Sequence, residues 1–392
     1  MYLPKNAEFI INSLKVHGYD AYAVGGCVRD HLLGKTAGDY DLTTSATPEQ
    51  MKAVFSDCYL IETGIKHGTL TLLLDSVPYE ITTYRIDGKY NDSRHPEYVS
   101  FTRNITEDLA RRDFTVNAIA YNPHTGFVDP FGGMKDIEIG VIRTVGDPTV
   151  RFTEDALRIM RALRFSAVLG FRIEENTAMA MREKKNLISK VSRERIYAEW
   201  KKLISGKDSY RVLSEYRNII EYIIPWISGY KLPDESVFLS ADGDVRELSL
   251  FVTEPYGEAS LRFAEAMRYL KTDSAHIETG ISILARLSCP VSDRISVHVL
   301  LADLKEKTTE KFIKLKILLG DAKENCLDIL KGLLEEGACY KISDLKIDGN
   351  DLLALGYKGR KIGETLERLL LSVSEEKIEN ERESLLTAIT KK

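Results

Sequence analysis

Val24-Gly25-Gly26-Cys27-Val28-Arg29-Asp30, followed by Asp39-Tyr40-Asp41, is the stretch that decides how this chain is read. In an extended strand, residues i and i+2 face the same way. Asp39 and Asp41 are therefore expected to project together, with Tyr40 on the opposite face. Two convergent carboxylates form a hard, anionic oxygen site that suits Mg²⁺ rather than zinc. Gly25 and Gly26 let the backbone approach closely and expose amide N–H groups. Cys27 to Leu33 reads as a short helix whose N-terminus, with Arg29 nearby, would favour phosphate. A metal site beside a phosphate cradle implies nucleotidyl transfer.

The 392 residues are enough for two or more domains, and 44% of them are hydrophobic, so a substantial core is available. No apolar run has transmembrane length. The start, Met1-Tyr2-Leu3-Pro4-Lys5-Asn6, lacks the apolar centre of a signal peptide. Five cysteines form no CxxC pair and no zinc spacing, which points to a reduced, cytoplasmic setting. No His-Asp dipeptide occurs, which argues against an appended metal-dependent phosphohydrolase. A net charge of −5 excludes a bulk basic surface for nucleic acid, but residues 103–112 and 151–164 are locally rich in arginine.

Up to about residue 145 the sequence is mixed. Asn6 to His17 reads as an amphipathic helix and Ala21 to Val24 as a short apolar strand. Thr47-Pro48-Glu49 reads as an N-cap with proline at the first helical position. Thr69 to Leu74 and Tyr79 to Arg85 read as adjacent strands. Glycine, asparagine and proline between Asp87 and Pro96 mark an irregular loop. After Gly146-Asp147-Pro148 helical periodicity dominates. Ser192 to Ile204 is expected to be a helix capped by Ser192, and Gly229 to Val245 a loop-rich interval. A glycine-punctuated unit from Ile347 to Gly363 precedes a final apolar helix. The expected organisation is one α/β domain followed by an all-helical body.

Three further segments bear chemistry. Glu80 lies on a strand that can run beside Asp39 and Asp41. It is either a third metal carboxylate or a solvated strand-face residue. In Glu107-Asp108-Leu109-Ala110-Arg111-Arg112-Asp113-Phe114-Thr115-Val116-Asn117-Ala118, arginine can fork onto a phosphate. Asp113 can accept from a ribose 2′-hydroxyl. In Arg151 to Arg164, helical winding puts Ala156, Ile159, Met160 and Leu163 on one stripe. Glu154, Arg158, Arg161 and Arg164 fall on the other side, with Asp155 at its margin. Asp155 and Arg158, three apart on a helix, are neighbours. They are either surface ion pairs or an acceptor–donor pair. Such a pair fits the amine-and-ring-nitrogen edge of cytosine and adenine, and a carboxylate there repels the carbonyl of uracil and guanine.

In order and spacing, these motifs resemble the polymerase-beta-like nucleotidyltransferases. More narrowly, they resemble the class II CCA-adding enzymes and bacterial poly(A) polymerases. The resemblance implies an α+β chain: an N-terminal nucleotidyltransferase head with a mixed sheet, then an elongated all-helical neck, body and tail. It divides the chain into 1–145 (head), 146–204 (neck with the base-reading helix), 205–340 (body) and 341–392 (tail, tRNA-binding). It implies Mg²⁺ on Asp39 and Asp41; Glu80, from its expected place beside them, is the candidate for a third catalytic carboxylate. It further implies nucleotide binding by Gly25, Gly26, Arg29, Arg112, Asp113, Asn117, Asp155, Arg158, Arg161 and Arg164. Residues 129–133 and 142–148 resemble the head–neck hinge, and Ser192 to Ile196 a helix supporting the base reader. The implied reaction adds CMP, CMP and AMP to the tRNA 3′ end from CTP and ATP and releases pyrophosphate.

Poly(A) polymerase is the nearest alternative, although Thr63 to Thr69 is more similar to the CCA side. Addition of CC alone or A alone is another. The intact loop Ile86 to Val99, with Arg94-His95-Pro96, is similar to that of full CCA enzymes and is expected to be mobile. A small-molecule nucleotidyltransferase would not need the long helical region. A catalytically dead RNA binder would be expected to lose Asp39 or Asp41.

Overall fold

The computed structural model describes residues 1–88, 99–253 and 256–390. Lys89 to Tyr98, which include Arg94, His95 and Pro96 and most of the expected mobile loop, lie outside the described residues. The chain divides into two compact units, Met1–Ile223 and Ile224–Lys392.

The first unit begins with α1 (Lys5–Val16), β1 (Ala21–Val24), α2 (Gly26–Leu32), β2 (Leu42–Thr44), α3 (Pro48–Val54) and β3 (Tyr59–Ile61). It continues with β4 (Thr69–Leu74), β5 (Val77–Thr83), β6 (Arg85–Asp87), β7 (Val99–Phe101), α4 (Ile105–Ala110), β8 (Ala120–Asn122) and β9 (Gly126–Val128). Then come α5 (Gly133–Glu138), β10 (Val141–Ile142), α6 (Pro148–Glu154), α7 (Leu157–Leu169), β11 (Arg172–Ile173), α8 (Glu175–Lys184) and α9 (Arg193–Ile204).

Seven strands form one sheet in the order β3-β4-β5-β2-β1-β8-β9. The β2–β5 pair is parallel, with Leu42 opposite Ile81, and the other pairs are antiparallel. This is the mixed sheet expected of the head. β1 is buried along its whole length, which matches its unbroken apolar run. Tyr22 and Val24 of this strand pack with Tyr84, Leu109, Ala118, Ala120 and Val145 as one core. Full burial of a side chain such as Leu109, Val24 or Val145 stabilises by about 1.5–3 kcal/mol.

Local chemistry explains the element ends. Thr47 accepts from the Gln50 N–H and Gln50 returns a bond to the Thr47 N–H, a capping box with Pro48 at the first turn. Ser192 occupies the N-cap of α9 as expected, but its side chain makes no capping bond.

Two expectations need correction. The helix expected through Arg151 to Arg164 is broken: α6 ends at Glu154, Asp155 is extended (φ −142°, ψ 104°), and α7 starts at Leu157. The Asp155 carboxylate accepts the Leu157 N–H at 3.0 Å, the local bond by which aspartate competes with helix. The interval Gly229 to Val245, read as loop, contains the helix Glu235–Ser240 and the start of the helix Gly243–Ser249. Asp234 and Asp242 each cap one of them.

Among its described residues the second unit contains helices joined by turns and no strand. Its last part has a core of its own, with Ile347, Leu352, Leu366, Leu369, Leu370, Val373 and Leu385 buried together. No described helix is long and apolar enough to cross a membrane.

Candidate active site

A cleft of about 820 Å³ in the first unit gathers most of the residues singled out from sequence. Its described lining includes Gly25, Gly26, Arg29, Asp39, Asp41, Arg112, Asp113, Asn117, Asp155, Arg158, Arg161 and Arg164. Glu80 does not line it. Eight arginines and Lys202 face five aspartates there. The cleft is therefore cationic although the whole chain is not, which resolves the conflict between a charge of −5 and a polyanionic ligand.

Asp39 and Asp41 immediately precede β2 rather than lying within it. The alternation still holds. The Val24 N–H donates to the Asp41 carbonyl at 3.0 Å, and both aspartates line the cleft while Tyr40 does not. Burial among protein atoms and then the charge of Asp39 raise the Asp41 carboxyl above the ordinary aspartate range; Arg112 opposes them and Glu80 adds to the rise. A divalent cation would relieve this repulsion between like charges, so the donor set fits one. Glu80 sits on β5, beside β2, and lines a smaller pocket with Asp41, Arg111 and Arg112. Among the described residues no set of three or more acidic, histidine or cysteine side chains is close enough to hold a metal, so Glu80 stands next to the pair without closing a triad. Burial, and then Asp41, push the Cys27 thiol up to about 11, which disfavours the reactive thiolate.

Gly25 has φ +75° and ψ −126°, a conformation that glycine adopts without strain. A Cβ there would also meet the Arg112 Nη1 at 3.1 Å. The glycine thus makes room for the arginine.

Asp108, fully buried, organises the arginines beside it. It accepts from the Arg111 Nη2 at 2.7 Å, the Arg112 Nη2 at 3.4 Å and the Arg85 N–H at 3.3 Å. Burial pushes its carboxyl up, but Arg111 and Arg112 outweigh that and hold it below the usual range. Arg29 donates to the Asn117 Oδ1 at 2.7 Å, and the Asn117 Nδ2 to the Asp113 Oδ1 at 3.2 Å. Arg161 donates to the Asp113 Oδ2 at 2.6 Å. Burial raises the Asp113 carboxyl, and Arg161 and Arg158 more than reverse it.

Asp155 and Arg158 both line the cleft, but not as helical neighbours. Asp155 is paired with Arg195 of α9 at 2.9 Å. Arg158 lies 3.5 Å from Glu154 and donates to the Arg111 carbonyl at 3.2 Å. Glu199 of α9 receives Arg164 at 2.8 Å and lies 3.7 Å from Arg161. Among the described residues, Arg112 Nε, Arg158 Nη1 and Arg195 Nη1 are buried donors that make no hydrogen bond. Each carries a desolvation cost. Asp108, Arg195 and Glu199 were not singled out from sequence. Asp108 and Arg195 lie within the arginine-rich and Ser192–Ile196 motifs, whereas Glu199 lies only in the expected helix from Ser192 to Ile204.

The chemistry of this cleft defines a nucleotidyltransferase. Residues 21–143 match the family described as the poly A polymerase head domain, and residues 170–228 that described as a probable RNA and SrmB-binding site of polymerase A. The CCA-adding enzyme of Lactobacillus helveticus is 35% identical over 385 residues, covering 96% of this chain and 94% of that protein. That of Pediococcus pentosaceus is 34% identical, covering 99% and 98%. The crystal structure of the Bacillus stearothermophilus CCA-adding enzyme in complex with CTP superimposes with a TM-score of 0.80 at 29% identity, covering 100% of this chain and 98% of that one. The chain belongs to the family of the CCA-adding enzymes.

Proposed function

We propose that this protein adds CMP, CMP and then AMP to the 3′ end of tRNA, from CTP and ATP, without a nucleic-acid template and with release of pyrophosphate. The observation that carries the reading is one cationic cleft holding the Asp39–Asp41 pair, the Arg112–Asp113–Asn117 cluster and the Asp155–Arg158 pair together. Whole-length likeness to CCA-adding enzymes favours this over poly(A) synthesis. The five cysteines are free, which agrees with a cytoplasmic setting.

Asp39 and Asp41 would hold a divalent cation, Mg²⁺ by their hard oxygen donors, with Glu80 beside them. When bound, that ion supplies charge neutralisation at the triphosphate and eases ionisation of the attacking 3′-hydroxyl. Gly25 leaves space for Arg112, which lines the cleft and would bind the phosphates through its guanidinium. Asp113 would accept from the ribose 2′-hydroxyl, held in place by Asn117 and Arg161. Asp155 would accept from the exocyclic amine of cytosine or adenine, and Arg158 would donate to the adjacent ring nitrogen. The head, neck, body and tail divisions at 145, 204 and 340 are part of this proposal, with the tail contacting tRNA.

The test is incubation with tRNA lacking its terminal CCA and each labelled NTP separately or combined. CTP alone should extend by two residues, and CTP with ATP by three. Runs of A, or no extension of tRNA by any NTP, would reject the reading.

A further inference from the structure

Phe165 lies in α7 and lines the cleft, yet it is only 4% exposed. Three guanidinium groups surround its ring. The Arg164 Cζ is 3.6 Å from the ring centroid, that of Arg29 5.2 Å and that of Arg161 5.3 Å. Phe114 meets the same ring edge-on at 5.8 Å and 80°. Each arginine is also tied at its polar edge: Arg29 to Asn117, Arg161 to Asp113 and Arg164 to Glu199.

Polar ties fix the edge of a guanidinium but leave its plane free to tilt. An aromatic face constrains the plane, because the cation is attracted to the negative face of the ring quadrupole within about 6 Å. The face also lowers the cost of crowding three like charges into one partly desolvated place. An aliphatic side chain of similar volume would fill the space without this attraction.

We infer that Phe165 is a positioning residue: its π face sets the planes of Arg29, Arg161 and Arg164, so that the three present their donors to the nucleotide in the cleft. The ring itself is too buried to stack on a base and acts through the arginines. This inference rests on the nucleotidyl-transfer reading of the cleft.

The experiment replaces Phe165 with mono-, di- and trifluorophenylalanine, which weaken the ring quadrupole in steps while nearly keeping its shape. KM for CTP should rise with each fluorine, to roughly tenfold for the trifluoro ring, from contacts of this type. With kcat and the unfolding temperature nearly constant, such a graded rise is what loss of pre-positioned binding gives and a packing role does not. Phe165→Leu should raise KM by a similar factor. A KM that is flat along the fluorinated series, or a wild-type KM in Phe165→Leu, overturns the inference. If the enzyme with its natural Phe165 fails to extend tRNA, the underlying functional reading fails instead.

Discussion

Arg161 donates to Asp113 across 2.6 Å and 48 residues of sequence, so the carboxylate assigned to the ribose is held from α7. The other Asp113 oxygen accepts from the Phe114 N–H and from Asn117. Asp113 is thereby kept ionised and oriented, ready to accept from a hydroxyl. Asp113→Ala should weaken discrimination against deoxynucleotides by roughly tenfold, the worth of one charge-assisted hydrogen bond. It should alter base choice far less. An unchanged CTP/dCTP ratio of kcat/KM would remove Asp113 from this role.

Asp39→Ala and Asp41→Ala should each abolish incorporation of both CMP and AMP while leaving the circular dichroism spectrum and unfolding midpoint close to wild type. Both side chains face the cleft rather than the core. Substantial activity in either folded variant would mean that the pair is not the metal site.

Gly25→Ala forces a side chain into a φ +75° backbone and against Arg112. Strain of this kind costs about 1–3 kcal/mol. Chemical denaturation should show that loss, and KM for CTP and ATP should rise together because Arg112 is displaced. A stable variant with an unaltered KM would show that the cradle tolerates a Cβ.

Asp108 is buried with Arg111 and Arg112 around it. Asp108→Asn should cost about 3–5 kcal/mol of stability, as removal of one partner from a buried ion pair does. Because the folded pKa is depressed, the wild-type contribution is complete above the unfolded value of about 4. It is lost as pH falls through the lower folded value. Stability curves of the two proteins should therefore converge in acid. Parallel curves down to the acid limit would contradict this.

Much of the head was legible along the chain because its signals are local. The apolar run of β1, the alternation of β4 and the Thr47 cap each depend on neighbours within a few residues. The paired aspartates were legible for the same reason, even though the strand itself begins only at Leu42. The break at Asp155 was not. Glu-Asp-Ala-Leu-Arg contains neither glycine nor proline, and the bond that ends the helix comes from a carboxylate that also suits a helix surface. The pairs Asp155–Arg195, Glu199–Arg164 and Arg29–Asn117 span 40, 35 and 88 residues. In one dimension such acids and arginines look like solvated faces. Only the packing of α7 against α9, and of α2 near residues 115–117, turns them into the walls of a cleft.

The central claim is that protein side chains, not a nucleic acid, choose the base. Asp155 and Arg158 line the cleft, and Arg195 holds the Asp155 carboxylate in place. The most direct measurement is single-turnover addition of each of the four NTPs to tRNA ending in the discriminator base or in CC. Wild type, Asp155→Ala and Arg158→Ala would be compared. Both variants should lose kcat/KM for CTP and ATP together and use UTP or GTP relatively more, by roughly ten- to a hundredfold in selectivity. Wild-type selectivity among the four nucleotides in both variants would contradict the account and leave the start of α7 as a packing element only.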